Sequence, residues 1–245
     1  MKHNVAKIKA QEIQKSFMLE YPLNLHEFCE CIGIRIIDYR SLHVDGYLCK
    51  DGSNKYIFVN ADLNERQKNF VIAHELGHYF LHTDKILQIC SGIIKGFDGH
   101  QVVATAESEA NQFAAELLLP TECIKKEVSR LPLSFEKIAE ISDKYSVSLT
   151  SAAIKCVECS STENEMLICY KNKYVQWVAY PPHSPFFVKM GSLAPHDSAI
   201  NRAFDENVSC GGSCTAPGVW SYNSAAKETF ITITPTTKLL LLSAM

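Results

Sequence analysis

His74, Glu75 and His78 stand in the spacing H-E-x-x-H, a set of side chains that can hydrolyse an amide with the help of a metal ion. Residues four apart on an α-helix lie one above the other on the same face, so the two imidazoles can bind one ion. Glu75 stands beside that ion rather than on it, where a carboxylate can orient a water molecule and accept its proton. A catalytic zinc takes three protein ligands plus water, and two histidines with a glutamate are one established set. The competing reading is an ordinary amphipathic helix that happens to carry two histidines, because H-E-x-x-H is short enough to arise by chance.

The elements that must position these residues are legible around them. Asn64 can cap a helix, Gln67 follows three residues on as a capping-box partner, and Phe70, Val71, Ala73, Leu76, Phe80 and Leu81 supply an apolar pattern without a proline. Gly77 costs such a helix about 1 kcal/mol against alanine, which points to a packing reason such as a close neighbouring backbone. A β-type run at residues 55–60 leads directly into it. His82 lies eight residues beyond His74, a rise of about 12 Å along a continuous helix, so it reads as a helix-end residue near the site and not as the third ligand. Carboxylates for that role occur on a second helical run at residues 105–119, ended by Pro120: Glu107, Glu109 and Glu116. A helical wheel puts Glu107 and Glu109 on opposite margins of its apolar stripe and does not choose between them.

The two blocks together, R-Q-K-N-F-V-I-A-H-E-L-G-H-Y-F-L-H from Arg66 and E-S-E-A-N-Q-F-A-A-E-L-L-L-P from Glu107, resemble the ImmA/IrrE family of bacterial metallopeptidases. The resemblance is good over residues 60–120 and weaker on either side. It implies a zinc ion (Zn2+) held by the two histidines and a glutamate of the second block, with Glu75 as catalytic base. Carried over by position before Ala110-Asn111, it assigns the third ligand to Glu109 and keeps Glu107 in reserve. It also implies a protein substrate, a helix-turn-helix transcriptional repressor whose cleavage derepresses mobile-element or stress-response genes. The alternative is a non-proteolytic DNA- or protein-binding regulator with a structural or silent metal site.

With 24 basic and 27 acidic residues the net charge is -3, which argues against a broad electrostatic footprint for nucleic acid. No apolar run approaches membrane-spanning length and no signal-peptide core is present, so a cytoplasmic protein without membrane contact is expected. The ten cysteines then read as reduced. The exception to weigh is Cys156 and Cys159 with Cys210 and Cys214, two pairs that could build a second, structural metal site.

The expected fold class is α+β in three parts. Residues 1–120 are expected to form a zincin-like metallopeptidase domain: one or two opening helices, strands near 33–38, 46–50 and 56–60 with a hairpin turn at Asp51-Gly52, then the two metal-bearing helices. Residues 121–160 resemble a helix-turn-helix, with a break at residues 145–148. The would-be recognition helix carries Lys155 as its one basic residue, so structural packing is favoured over DNA binding. Residues 161–245 read as a small α/β domain with strands near 166–170, 174–180, 186–190, 229–234 and 238–242 and a helix near 197–204. Its Trp177, Tyr180, Trp220 and Tyr222 either fill a core or line a pocket, the latter as in the GAF-like sensor domains found in one branch of the resembling family.

Overall fold

The computed structural model describes residues 5–40, 44–82, 99–129, 132–220 and 225–244. The chain is a mixed α+β protein with two sheets. It divides into two compact units: residues 1–120 with 142–148, and residues 121–141 with 149–245. The helix-turn-helix-like stretch expected as a part of its own is thus shared between them.

The first unit opens with helices α1 (Val5–Ser16) and α2 (Leu25–Cys31), followed by strands β1 (Ile34–Tyr39), β2 (Gly46–Asp51) and β3 (Asn54–Asn60). The sheet order is β1-β3-β2, with β1 parallel and β2 antiparallel to the central β3. Asp51 pairs with Asn54 across the expected hairpin, and Gly52 turns there at φ +58, a left-handed conformation that glycine adopts without steric cost. Asn60 closes a short polar turn, its side chain accepting from the Asp62 amide at 3.0 Å, and the chain enters helix α3 (Glu65–Leu81). The capping box expected from sequence is formed at both ends: the Gln67 amide donates to Asn64 Oδ1 at 3.0 Å, and the Asn64 amide to Gln67 Oε1 at 3.1 Å.

Helix α4 (Gly99–Leu118) packs along α3. Its buried Ala106, Ala110, Phe113, Ala114 and Leu117 recur at helical spacing, and the small residues among them let another helix approach closely. At Gly77 that approach is tightest: a Cβ built there would lie 2.9 Å from Ala110 Cα and 3.0 Å from Ala110 O. The packing reason that the sequence demanded of Gly77 is therefore the α4 backbone. On its outer side α4 is tied to α1, with Gln11 Nε2 donating to Glu116 Oε1 at 3.0 Å and Gln14 Nε2 to the Glu116 carbonyl at 2.6 Å.

The second unit holds α5 (Thr121–Val128) against α7 (Leu149–Cys159), and a five-stranded antiparallel sheet in the order β5-β4-β8-β7-β6. These strands are β4 (Glu165–Lys171), β5 (Tyr174–Ala179), β6 (Cys210–Thr215), β7 (Ala226–Thr234) and β8 (Thr237–Ala244). Helix α6 (Phe135–Lys144) straddles the boundary of the units, and α8 (Ala199–Asp205) precedes β6. Met166, Ile168, Tyr170, Leu240 and Leu242 pack one sheet face against Ala199, Ile200 and Ala203 of α8. Trp220 is buried in this cluster and Tyr180 packs against it, the filling role weighed for these aromatics; Tyr222 lies outside the described residues.

Two expectations for this region are corrected. Residues 186–190 form no strand; the Val188 amide donates to Tyr180 Oη at 2.8 Å and not to a neighbouring strand. Strand β6 was not expected, since Cys-Gly-Gly-Ser-Cys is poor in β-formers. It forms beside β7, where Gly211 leaves room for the Phe230 ring: a Cβ there would sit 3.1 Å from it. Among the described residues no helix is long and apolar enough to cross a membrane.

Candidate metal centre

His74 and His78 project from one face of α3, one turn apart, with their Nε2 atoms 3.0 Å from each other. Across from them on α4, Glu107 places Oε2 3.1 Å from His74 Nε2 and Oε1 3.2 Å from His78 Nε2. The ligand atoms of these three residues all lie within 4.8 Å of one another. A tetrahedral ion with bonds of about 2.0–2.1 Å to two imidazoles separates its nitrogens by about 3.3 Å, so this spacing needs only a few tenths of an ångström of adjustment. His74 presents Nδ1 to Asn111 Oδ1 at 2.9 Å, an amide oxygen that can only accept, so the Nε2 lone pair faces inward. The donor set of two imidazole nitrogens and a carboxylate fits a zinc-type cation.

The third carboxylate differs from expectation. Glu107, and not Glu109, reaches the histidine pair; Glu109 Oε2 lies 2.9 Å from His82 Nε2. The reason is rotational: residues two apart on a helix point about 200° apart around its axis, so these two glutamates cannot meet one ion. Which of them faces inward depends on how α4 is turned, and the Gly77–Ala110 crossing fixes that turn. Glu116, the other candidate, is buried at the α1 side in its bond with Gln11. His82 caps α3, its amide donating to the His78 carbonyl at 2.9 Å, and its Nδ1 lies 3.1 Å from His78 Nδ1.

Glu75 is buried, with 8 % of its surface exposed, and Oε2 accepts from the Leu48 amide at 2.9 Å. Desolvation raises its carboxyl pKa above the ordinary range; the His74 imidazole and the Leu48 amide oppose that shift. Burial likewise pulls the His78 imidazole down to about 4, which keeps it neutral and able to bind metal at neutral pH. Glu75 lines a cleft of about 390 Å³ together with Gly46, Tyr47, His74, His78 and Glu107. The strand side of this cleft is β2, at the edge of its sheet. Asn60 donates to the Asp45 carbonyl at 2.9 Å, and alternation from that pair turns the main-chain groups of Gly46 and Leu48 away from β3. Sequence reasoning had no signal for Leu48 or Asn111, because neither role is visible without the strand register or the helix rotation.

Among the described residues the His74–His78–Glu107 group is the single cluster of three such ligands. The four cysteines weighed for a second site are not gathered: Cys156 and Cys159 lie on α7, and Cys210 and Cys214 are exposed on β6. Lys155, the basic residue of the would-be recognition helix, is 3 % exposed, so it offers nothing to a phosphate or a base edge.

Two histidines on α3 facing a carboxylate on α4, beside a small sheet whose edge strand borders the cleft, form a group that could hold a metal ion next to the buried Glu75. Residues 29–157 match the model of the IrrE N-terminal-like domain, and the chain belongs to this ImmA/IrrE family. It is 33% identical over 107 residues to the metallopeptidase ImmA of Bacillus subtilis, covering 42% of this chain and 58% of that protein. It is 32% identical over 120 residues to the uncharacterized immunity region protein 2 of Bacillus phage phi105, covering 48% of this chain and 70% of that one. The radiation response metalloprotease IrrE of Deinococcus deserti is 26% identical over 119 residues, 49% of this chain and 42% of its own length. The matches therefore span between about two fifths and seven tenths of these relatives. A solved structure described as a Mycobacterium tuberculosis transcriptional regulator shares the fold, with a TM-score of 0.67 over 98% of this chain and 76% of that one at 11% identity.

Proposed function

We infer that the chain is a zinc-dependent endopeptidase whose metal is held by His74 Nε2, His78 Nε2 and a Glu107 carboxylate oxygen. The observation that carries this reading is the convergence of those three ligands within 4.8 Å, with the buried Glu75 carboxylate in the same cleft. The family's metallopeptidases supply the reaction class. Bound zinc supplies Lewis-acid activation of a water molecule and of the scissile carbonyl.

The protein's own residues do the rest. Glu75, its pKa raised by burial, takes a proton from the attacking water and returns it to the departing amide nitrogen. The Leu48 amide holds Glu75 Oε2 and so orients the other oxygen. Asn111 holds the His74 ring with its Nε2 toward the cleft. The outward main-chain groups of Gly46 on this edge strand offer an extended peptide a place to align, which would present its backbone to Glu75. The substrate we propose is a helix-turn-helix transcriptional repressor, cleaved to derepress mobile-element or stress-response genes in the cytoplasm.

The test is to incubate the zinc-loaded protein with the repressor encoded nearest its gene and to sequence the fragments. Wild type should cut at a defined bond, whereas Glu75→Gln should bind zinc and leave the repressor intact. Cleavage by Glu75→Gln at the wild-type rate would overturn the mechanism.

A further inference from the structure

The geometry points to His82 and Glu109 as positioning residues that fix the tautomer and orientation of His78, through a carboxylate–imidazole–imidazole chain running behind the metal ligands. This rests on the reading of His74, His78 and Glu107 as the metal-binding set, and it gives a role to the two residues that set leaves out.

With both imidazoles neutral, the chain has one consistent assignment of protons. An ionised Glu109 can only accept, so at 2.9 Å His82 Nε2 must carry the hydrogen. In a neutral imidazole the other nitrogen is then an acceptor, which makes His82 Nδ1 the acceptor facing His78 Nδ1 at 3.1 Å. His78 Nδ1 must therefore donate, and its Nε2 is left with a lone pair directed at Glu107 and His74 Nε2. The proton pattern that Glu109 imposes at one end leaves His78 in the form that binds a metal at the other.

Burial gives the chain its force. The His78 and His82 side chains are 11% and 4% exposed, so water does not compete freely for their ring nitrogens. Without His82 the His78 ring would lose its partner at Nδ1 and could rotate or change tautomer. Without Glu109 nothing in the chain would require the hydrogen to sit on His82 Nε2. The placement also accounts for His82 at the end of α3: it is one turn too far along to join His74 at the ion, and one turn is the distance that lets it back His78. Glu107 and Glu109, pointing to different sides of α4, thus serve the same histidine from its two ends.

The test uses the full-length chain and two readouts besides activity. Zinc affinity is measured by competition with a chromophoric chelator, and the His78 tautomer by imidazole 15N shifts in the metal-free protein. His82→Phe and Glu109→Leu should each weaken zinc binding by about 10–100-fold, the usual cost of losing an outer partner of a ligating histidine. Both should move His78 away from a pure Nδ1–H form. Glu109→Gln, which keeps an accepting oxygen, should stay near wild type in both readouts. The double variant His82→Phe/Glu109→Leu should bind no more weakly than His82→Phe, since both break one chain. Glu109 is partly exposed, so Glu109→Leu tests the idea even if His82→Phe does not fold. Unchanged affinity and tautomer in Glu109→Leu would overturn the positioning role. Loss of the metal-site reading itself looks different: wild type would bind no zinc, or His78→Ala would bind it as well as wild type.

Discussion

Gly77 and Ala110 bring the backbones of α3 and α4 so close that a Cβ on Gly77 would stand 2.9 Å from Ala110 Cα. This crossing sets the rotation of α4, and through it the choice of Glu107 as the residue that faces the two histidines.

Gly77→Ala sets two effects against each other. The helix gains about 1 kcal/mol in propensity, while overpacking against a backbone costs about 1–3 kcal/mol. Because the contact is with backbone and not with the end of a flexible side chain, the steric cost should win. Urea melts should show a less stable protein, and zinc affinity should fall as α4 is pushed away. A more stable Gly77→Ala protein with unaltered affinity would mean the helices do not cross this closely.

The two glutamates should separate in a binding assay. Glu107→Ala removes a ligand and should abolish stoichiometric zinc binding at concentrations where Glu109→Ala still retains it. Equilibrium dialysis with metal analysis measures this directly, and the reverse order would restore Glu109 to the role that family resemblance gave it.

These results mark what was legible in the chain and what was not. The capping box at Asn64 and Gln67, the strand before it and the pairing of His74 with His78 are local, set by residues within a turn or two of one another, and the sequence carries them in full. The choice between Glu107 and Glu109 is not local. It depends on a helix rotation fixed by Gly77, some thirty residues away, and a wheel drawn for α4 alone contains no such information. Strand β6 was hidden for a related reason: Gly211 and Gly212 lack β-propensity, and their strand is defined by pairing with the distant β7, where a Cβ on Gly212 would stand 2.6 Å from the Glu228 carbonyl.

In the second unit Glu228 is fully buried and carries several partners. It accepts from the Ala199 amide at 2.7 Å, from the Ile200 amide at 3.3 Å and from Trp220 Nε1 at 2.9 Å. Glu228→Leu strands all three donors away from water, and should cost about 3 kcal/mol or more. Thermal melts together with a shift in Trp220 fluorescence would register it. A loss below about 1 kcal/mol would show that water reaches these donors.

Two buried thiols give a pH dependence. Burial pushes both Cys29 and Cys156 from 9.0 up to about 12. Above pH 9 the unfolded chain releases these protons while the folded one holds them, so stability falls as pH rises from 9 toward 12. The slope is about 1.4 kcal/mol per pH unit for each thiol. Chemical denaturation between pH 8 and 11 should show this decline, and Cys29→Ala/Cys156→Ala should flatten it. In native protein a thiol reagent should modify exposed Cys31, Cys210 and Cys214 well before Cys29 or Cys156.

Anomalous diffraction at the zinc edge, recorded on crystals of the zinc-loaded full chain, addresses the metal centre most directly. One peak about 2.0–2.2 Å from His74 Nε2, His78 Nε2 and a Glu107 oxygen is the expected result. A peak liganded by Glu109, or no peak between the two histidines at full zinc loading, would contradict it.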